Sequence, residues 1–317
     1  MCTIGSVFQS SSPGLLSFKQ CDLEKPTDFL QPKITSGKGN IRYLPFKRVG
    51  SDGPWAGVNN YGVSFVAADA YLEPTSVKTG KPQLKAVDNG IFAAYNKIIS
   101  DHTTAESAAD YMRDFYAGFG LPDILLISDA NSSFFIETYQ GVVECIERKE
   151  NFFASTNHFR MLYSGVQYPL NHSTYLRLAR AEAILEKKTN ASGPFAVLAD
   201  RYFGETVFSI CRENQQTPPQ EAPYYTQATV VFYTDGTEVN AAYQLNGNPH
   251  NNPYTVIQDV FGTSPRESCL DTVEAAAAAM TQTGKTLRSS PARTFKFSGR
   301  IHPRDEKHQL KENLGAS

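Results

Sequence analysis

The chain has 317 residues, which suits one large domain or two of ordinary size. With 30 Lys and Arg against 32 Asp and Glu its net charge is −2, so no general attraction to nucleic acid or to an anionic membrane is expected; that needs a clustered basic face. Hydrophobic residues make up 41% and aromatics 12%, enough for a full core, which excludes a mostly disordered chain.

The N-terminal third reads as β. Residues 3–8 (TIGSVF) and 14–20 (GLLSFKQ) are strand-like runs around the turn cluster SSSPG, a hairpin pattern. A polar, proline-containing stretch to about Asn40 suggests a loop over a pocket. Strands are expected over 41–47 and 54–69, the second broken by a turn at Asn59-Asn60-Tyr61-Gly62. Helical periodicity follows over 89–100, and a second helix is expected from near Thr103 to Gly118 or Gly120. Four short strands come next, at 123–128, 133–139, 141–147 and 151–156. Residues 171–188 form the clearest helix, with Leu176, Ala179, Ile184 and Leu185 in register. A helix over 194–202 and a strand over 206–211 are expected after it. A hairpin then spans 227–244, with Asp235-Gly236 as a type I′ turn signal. An Ala-rich helix near 267–281 ends at Gly284. Helices flanking strands in hairpin order argue for an α+β layered domain, expected over 2–290, with 291–317 as a C-terminal extension that is partly tail-like.

No apolar run approaches the roughly 18 residues of a membrane span. Residues 1–20 lack a basic n-region and a continuous apolar h-region, so no signal peptide is expected and the cytoplasm is the default compartment. The five cysteines, Cys2, Cys21, Cys145, Cys211 and Cys269, are odd in number and scattered, with no C-x-x-C pair and no zinc-type spacing to His. Neither a disulfide frame nor a metal nor a cofactor is implied. Sequons at Asn131, Asn171 and Asn190 read as chance matches without a secretory signal. Gly284-Lys285-Thr286 is not a P-loop, because Ala279 stands where the first glycine belongs and an Ala-rich helix precedes it. A Cys145–His158 dyad is a weak candidate, since a strand cysteine is commonly a small buried hydrophobe.

The chemistry-bearing feature is Cys2. Removal of Met1, which a small second residue permits, gives one residue carrying both a thiol, pKa about 8.5, and an α-amine, pKa about 8. The amine can then take the thiol's proton, so the nucleophile carries its own base. The competing reading is an arbitrary residue on a frayed end. The apolar strand TIGSV that follows would pin it.

Met1-Cys2-Thr3 opens a strand, and Lys19-Gln20-Cys21-Asp22 ends the next. Gly57-Val58-Asn59-Asn60-Tyr61-Gly62-Val63, Asp129 to Glu137 (DANSSFFIE), Thr156-Asn157-His158-Phe159, Ser173 to Leu178 and Ser209-Ile210-Cys211-Arg212 follow in order. These collinear segments resemble the N-terminal-nucleophile (Ntn) hydrolases that cleave linear amides, above all the penicillin acyltransferase-like group, with bile salt hydrolase and penicillin V acylase as cousins. After the initial Cys-Thr, the corresponding patterns there are Arg-Asn-x-Asp or Gln-Asn-x-Asp, G-x-N-E-x-G-L, the D-x-x-G-x-x-x-x-x-E hairpin, T-N-H-F, S-x-x-R-L and S-I-C-R.

The resemblance implies a four-layer αββα sandwich with Cys2 at the end of a central strand. It implies that Asp22 holds the α-amine, that Lys19 takes the place of an arginine near the sulfur without its bidentate fork, and that Asn157 donates to the oxyanion. Arg177 corresponds to a helix arginine supporting the site; a helix-surface cation is its bland reading. A second oxyanion donor is expected from the 59–69 segment. Asn60 lies in the turn there, and Asp69 falls where bile salt hydrolases carry an asparagine, although a carboxylate cannot donate. Trp55 and Phe159, with Phe29, Tyr43, Phe46, Tyr71 and Tyr163, are candidates for an apolar acyl pocket, or for ordinary core. His158 reads as structural. The implied activity is a cysteine-nucleophile amidohydrolase acting on a small-molecule amide or acyl substrate through a thioester on Cys2. Alternatives are an acyltransferase passing the acyl group to an amine, and an inactive relative serving as a binding subunit. A homo-oligomer without nucleic-acid or membrane partners is expected.

Overall fold

The hairpin at the N-terminus begins the architecture. In a computed structural model, which describes residues 1–9, 14–70, 90–163, 167–213 and 224–281, β1 (Cys2–Phe8) and β2 (Leu15–Leu23) pair antiparallel. Small or β-favouring residues alternate along β1. Ile4 faces one core, Val7 faces another, and Gly5 lets the strand pass the Phe18 ring and the Phe153 carbonyl, which a Cβ would meet at 2.5 and 2.4 Å.

Two seven-stranded sheets result. The first has the order β10-β1-β2-β11-β12-β13-β14, using β10 (Phe152–Ser155), β11 (Tyr225–Thr234), β12 (Val239–Leu245), β13 (Tyr254–Gln258) and β14 (Arg266–Leu270). The second runs β3-β4-β5-β6-β7-β8-β9, from β3 (Thr35–Ser36), β4 (Arg42–Lys47), β5 (Pro54–Asn59), β6 (Ser64–Asp69), β7 (Asp123–Ser128), β8 (Ser133–Tyr139) and β9 (Val142–Arg148). Every pairing between these strands is antiparallel.

Three apolar clusters define the layers. Ile4, Phe46, Val66, Phe135, Val230 and Phe232 pack between the sheets. Phe65, Leu125 and Ile127 meet α1 (Ile91–Asp101) and α2 (Ala105–Tyr116) on the outside of the second sheet. Phe18, Val231 and Val256 meet α3 (Ser173–Leu185), α4 (Ser192–Leu198) and α5 (Val273–Met280) on the outside of the first. The fold is therefore the αββα sandwich expected from sequence.

Most expected elements fall within a few residues of their place, and the exceptions have local causes. Residues 206–211 form turns rather than a strand. Thr206 Oγ1 donates to the Phe203 carbonyl at 2.9 Å, and Ser209 Oγ both donates to Gly204 O at 2.7 Å and accepts from Phe203 N at 3.1 Å. The 267–281 helix divides into β14 and α5, with Thr272 as N-cap accepting from Ala275 N at 3.1 Å. The β11–β12 connection is a four-residue loop, since Thr234 pairs with Val239. Asp235 Oδ1 accepts from both Thr237 N and Glu238 N at 2.8 Å, so the aspartate builds an Asx turn instead of a type I′ turn. The end of the 2–290 domain, the 291–317 extension, Gly284 and Tyr71 lie outside the described residues.

Candidate active site

Register determines what surrounds Cys2. Cys2 stands opposite Cys21, Thr3 opposite Gln20 and Ile4 opposite Lys19. Opposed residues share a face of an antiparallel pair and successive residues alternate. Cys2, Ile4, Lys19 and Cys21 therefore look into the space between the sheets, while Thr3, Gln20 and Asp22 look toward the helices of the first sheet.

On the inner face Cys2 is 2% exposed and Cys21 fully buried. The hydrogen bond from the Cys21 thiol pulls the Cys2 thiol down to about 5; burial opposes this, and the Lys19 ammonium and the N-terminal amine assist it. Cys21 is pushed well above its ordinary value, because it gives that hydrogen bond and is itself buried. The direction of both shifts favours charge on Cys2 over charge on Cys21. Lys19, 3% exposed, donates to the Ala67 carbonyl of β6 and lies 5.2 Å above the Trp55 ring. Arg48 Nη2 lies 3.7 Å from Cys21 Sγ.

The main chain of Cys2 is held from the other side. Its nitrogen donates to Asn157 Oδ1 at 2.9 Å, and Arg177 Nη2 donates to the same oxygen at 2.9 Å. Two donors on one atom fix the orientation of the amide. Asn157 Nδ2 then donates to the Asp69 carbonyl at 2.6 Å, bridging the sheets. Arg177, buried completely in α3, donates from Nη1 to the Cys2 carbonyl at 2.6 Å and to Thr3 Oγ1 at 3.1 Å. The segment after Asn157 is anchored by Glu137 of β8, whose carboxylate accepts from the N–H groups of Arg160, Met161 and Leu162 at 2.6, 2.8 and 3.0 Å.

Asp22 lies on the helix-facing side. Its Oδ1 accepts from Gln20 Nε2 and Thr226 Oγ1, both at 2.9 Å, and Arg212 Nε stands 3.5 Å from Oδ2. Its main chain pairs with Met1: Met1 N donates to Asp22 O at 2.8 Å, and Asp22 N donates to Met1 O at 2.9 Å. Met1 is itself buried, and its sulfur accepts from Ser173 Oγ at 3.6 Å and Arg177 Nη2 at 3.7 Å.

Cys2, Lys19, Asn157 and Arg177 are thus brought together, with Asp22 one strand over on the opposite face. Asp69 joins through its carbonyl, its side chain being exposed. Asn60 is not brought in. It sits in the β5–β6 turn, beyond the far end of β6 from Asp69, a strand length of about 17 Å, and its Oδ1 accepts from Arg42 N at 2.8 Å. Asn59 shapes the same turn, accepting from Tyr61 N and Val63 N at 3.0 Å. Trp55, Phe159, Phe29 and Phe46 belong to the same inter-sheet cluster as Cys2, with Tyr163 packed against it, whereas Tyr43 lies on the α1 side of the second sheet. The Cys145–His158 dyad is excluded by topology. Cys145 packs in the outer cluster of the second sheet, with burial raising its thiol to about 11. The His158 ring lies 4.6 Å from Tyr175, with Nδ1 3.0 Å from Thr174 Oγ1, and burial lowers it to about 3. Among the described residues, no three His, Cys, Asp or Glu side chains converge to hold a metal.

Sequence reasoning missed Cys21, Arg48 and the anchoring role of Glu137. The turn cluster alone did not locate Cys21: SSSPG spans residues 10–14 and is centred on Ser12, which would set Asp22 opposite Cys2, whereas the strands pair positions whose numbers sum to 23 and bring Cys21 there instead.

No family model and no curated protein sequence matches the chain. Among solved structures it is similar to a mutant conjugated bile acid hydrolase from Clostridium perfringens, at a TM-score of 0.50 and 12% identity, over 84% of this chain and 96% of that one. It is also similar to penicillin V acylase from Agrobacterium tumefaciens, at a TM-score of 0.53 and 13% identity, over 86% of this chain and 91% of that one. At such identities the likeness is one of fold. With both it shares the αββα sandwich that the sequence resemblance implied.

Proposed function

We propose that the chain is a cysteine-nucleophile amidohydrolase that cleaves a small-molecule linear amide through a thioester on Cys2, once the Met1–Cys2 bond has been broken. The observation that carries this reading is the setting of Cys2: a buried side chain opposite Cys21 whose ionised form its neighbours favour, with its main-chain nitrogen on Asn157 Oδ1 at 2.9 Å. In the intact chain that nitrogen is an amide whose lone pair is delocalised and takes no proton. As an α-amine, pKa about 8, it holds the proton the thiol gives up. Loss of Met1 also releases the Asp22 carbonyl from Met1 N, while the Asp22 carboxylate stays with Gln20, Thr226 and Arg212 on the helix-facing side.

The chemistry then balances as follows. The Cys2 sulfur adds to the amide carbon and its oxygen becomes an oxyanion. Asn157 Nδ2 gives one hydrogen to Asp69 O and has a second for that oxyanion, a contribution of about 3 kcal/mol to the barrier. The C–N bond breaks as the leaving amine takes the proton from the Cys2 ammonium. Water adds to the thioester, again giving a proton to the Cys2 amine, and the acid departs as the thiolate is regenerated. Arg177 and Lys19 position rather than react: one clamps the Cys2 carbonyl and the Asn157 amide, the other supplies positive charge on the thiolate's face.

The test compares the mature protein with a form carrying an uncleaved N-terminal extension. The mature form is expected to turn over N-acyl amides and to be alkylated by iodoacetamide at Cys2 ahead of Cys21, Cys145, Cys211 and Cys269, as read by intact mass and peptide mapping. Full turnover by the extended form would overturn the proposal.

A further inference from the structure

The nucleophile faces a second thiol, Cys21, that forms and breaks no bond in the amide chemistry. Met1 and Asp22 exchange both main-chain hydrogen bonds, which makes the next pair inward, Cys2 and Cys21, a non-hydrogen-bonded pair of the antiparallel ladder. Such pairs bring their Cα atoms to about 4.5 Å with the side chains leaning together, within the roughly 4.4–6.8 Å that a disulfide spans. Both side chains point into the inter-sheet core, and both cysteines are reduced. Cys145 lies on the outer face of the other sheet, Cys211 lies on the helix side of the first, and Cys269 is on its far edge strand. Cys21 is therefore the only partner thiol within reach of Cys2.

We propose that Cys2 and Cys21 form a reversible disulfide on exposure to a hydroperoxide, a modification site that switches the nucleophile off and shields it from over-oxidation. The step balances. The Cys2 thiolate attacks the terminal oxygen of the hydroperoxide, breaking the O–O bond and forming a sulfenic acid, and the departing alkoxide, or hydroxide from hydrogen peroxide, takes the proton held on the Cys2 ammonium and leaves as alcohol or water. The Cys21 sulfur then attacks the sulfenic sulfur, the S–O bond breaks, and the Cys21 proton leaves with the hydroxide as water. Two thiols lose two electrons and the peroxide gains them. The Arg48 guanidinium, 3.7 Å from Cys21 Sγ, stabilises the charge that develops there as the proton departs. A dithiol reductant restores both thiols by exchange.

The importance of Cys2 as the switched group rests on the proposed nucleophilic role, but the disulfide has a readout of its own. The full-length mature protein is treated with hydrogen peroxide, its remaining thiols are capped with iodoacetamide, and it is mapped by mass without reduction. The expected result is a loss of two hydrogens, a linked Cys2–Cys21 peptide, and return of both thiols and of turnover after dithiothreitol. In Cys21→Ala and Cys21→Ser the same treatment is expected to add two oxygens at Cys2, which dithiothreitol does not remove. Oxygen addition at Cys2 of the wild type with Cys21 still open to alkylation would overturn the proposal. A linked peptide in a protein with no amidase turnover sinks the functional reading and leaves the disulfide standing. Turnover without the linked peptide does the reverse.

Discussion

Replacing Arg177 by methionine tests the clamp on Cys2 most directly. The guanidinium is fully buried and gives hydrogen bonds to the Cys2 carbonyl (2.6 Å), Thr3 Oγ1 (3.1 Å) and Asn157 Oδ1 (2.9 Å). Charge-assisted hydrogen bonds contribute about 1.5–3 kcal/mol each. Methionine keeps the apolar stem and removes a buried charge, so relief of desolvation returns part of that sum. Asn157 Oδ1 also keeps the Cys2 N–H, which leaves the Cys2 carbonyl as the main group losing its partner. The net loss is about 3 kcal/mol, which for a domain of this size lowers Tm by about 5 °C. Arg180 on the same helix supplies the control. It makes a single partly exposed ion pair with Asp200, Nη2 to Oδ1 at 2.6 Å, and Arg180→Met is expected to cost about 1 kcal/mol or less. Calorimetry gives both Tm values, and iodoacetamide kinetics at Cys2 report whether the nucleophile is still held. If Arg177→Met melts no lower than Arg180→Met and Cys2 is alkylated at the wild-type rate, the clamp is an incidental contact.

Lys19→Met is expected to move the pH midpoint of Cys2 alkylation upward by about one unit, since an opposite charge near the thiolate is removed; an unchanged midpoint refutes the electrostatic role. Asp123, buried on the helical side of the second sheet, accepts hydrogen bonds from the Tyr95 and Tyr116 hydroxyls, and burial raises its carboxyl to about 7. Its folded pKa exceeds the ordinary unfolded value near 4, so folding favours the protonated acid. The stability it contributes is present below about pH 4, is lost as pH rises toward 7, and changes no further above that. Urea midpoints at pH 5 and pH 8 should therefore fall for the wild type and stay level for Asp123→Asn, whose amide oxygen still accepts from both tyrosines. Glu137→Gln turns one acceptor into a donor facing the Arg160, Met161 and Leu162 N–H groups. A loss of about 2 kcal/mol is expected, with faster hydrogen exchange confined to the segment after Asn157; uniform exchange across the domain argues against the local tie.

The layered fold was legible because its elements repeat apolar residues with the right period. Runs such as DILLIS and SFFIETY leave little choice but strands, and 171–188 little but a helix. What escaped were elements whose backbone is governed by partners remote in sequence. β14 (RESCL) has four exposed residues out of five and forms only because β13 offers its edge. TVFSIC has the composition of a strand, but the Thr206 and Ser209 hydroxyls satisfy the neighbouring main chain and hold it in turns.

The site divides along the same line. Cys2 and Asn157 were readable as residue types in a collinear pattern, but their relation is one of geometry: the Asn157 oxygen takes the Cys2 nitrogen while its Nδ2 crosses to β6. Side-chain parity separates roles that a linear motif runs together. In Lys19-Gln20-Cys21-Asp22 the first and third residues share the nucleophile's face, and the second and fourth join Thr226 and Arg212 behind it. Four consecutive residues of β2 thus send charge and a thiol forward to set the sulfur's ionisation, and send a carboxylate backward into the buried polar layer that braces the strand. Moving one of these residues by a single position would exchange the two sets, so the spacing of the motif is fixed by the pleat of β2 as firmly as by the chemistry at Cys2.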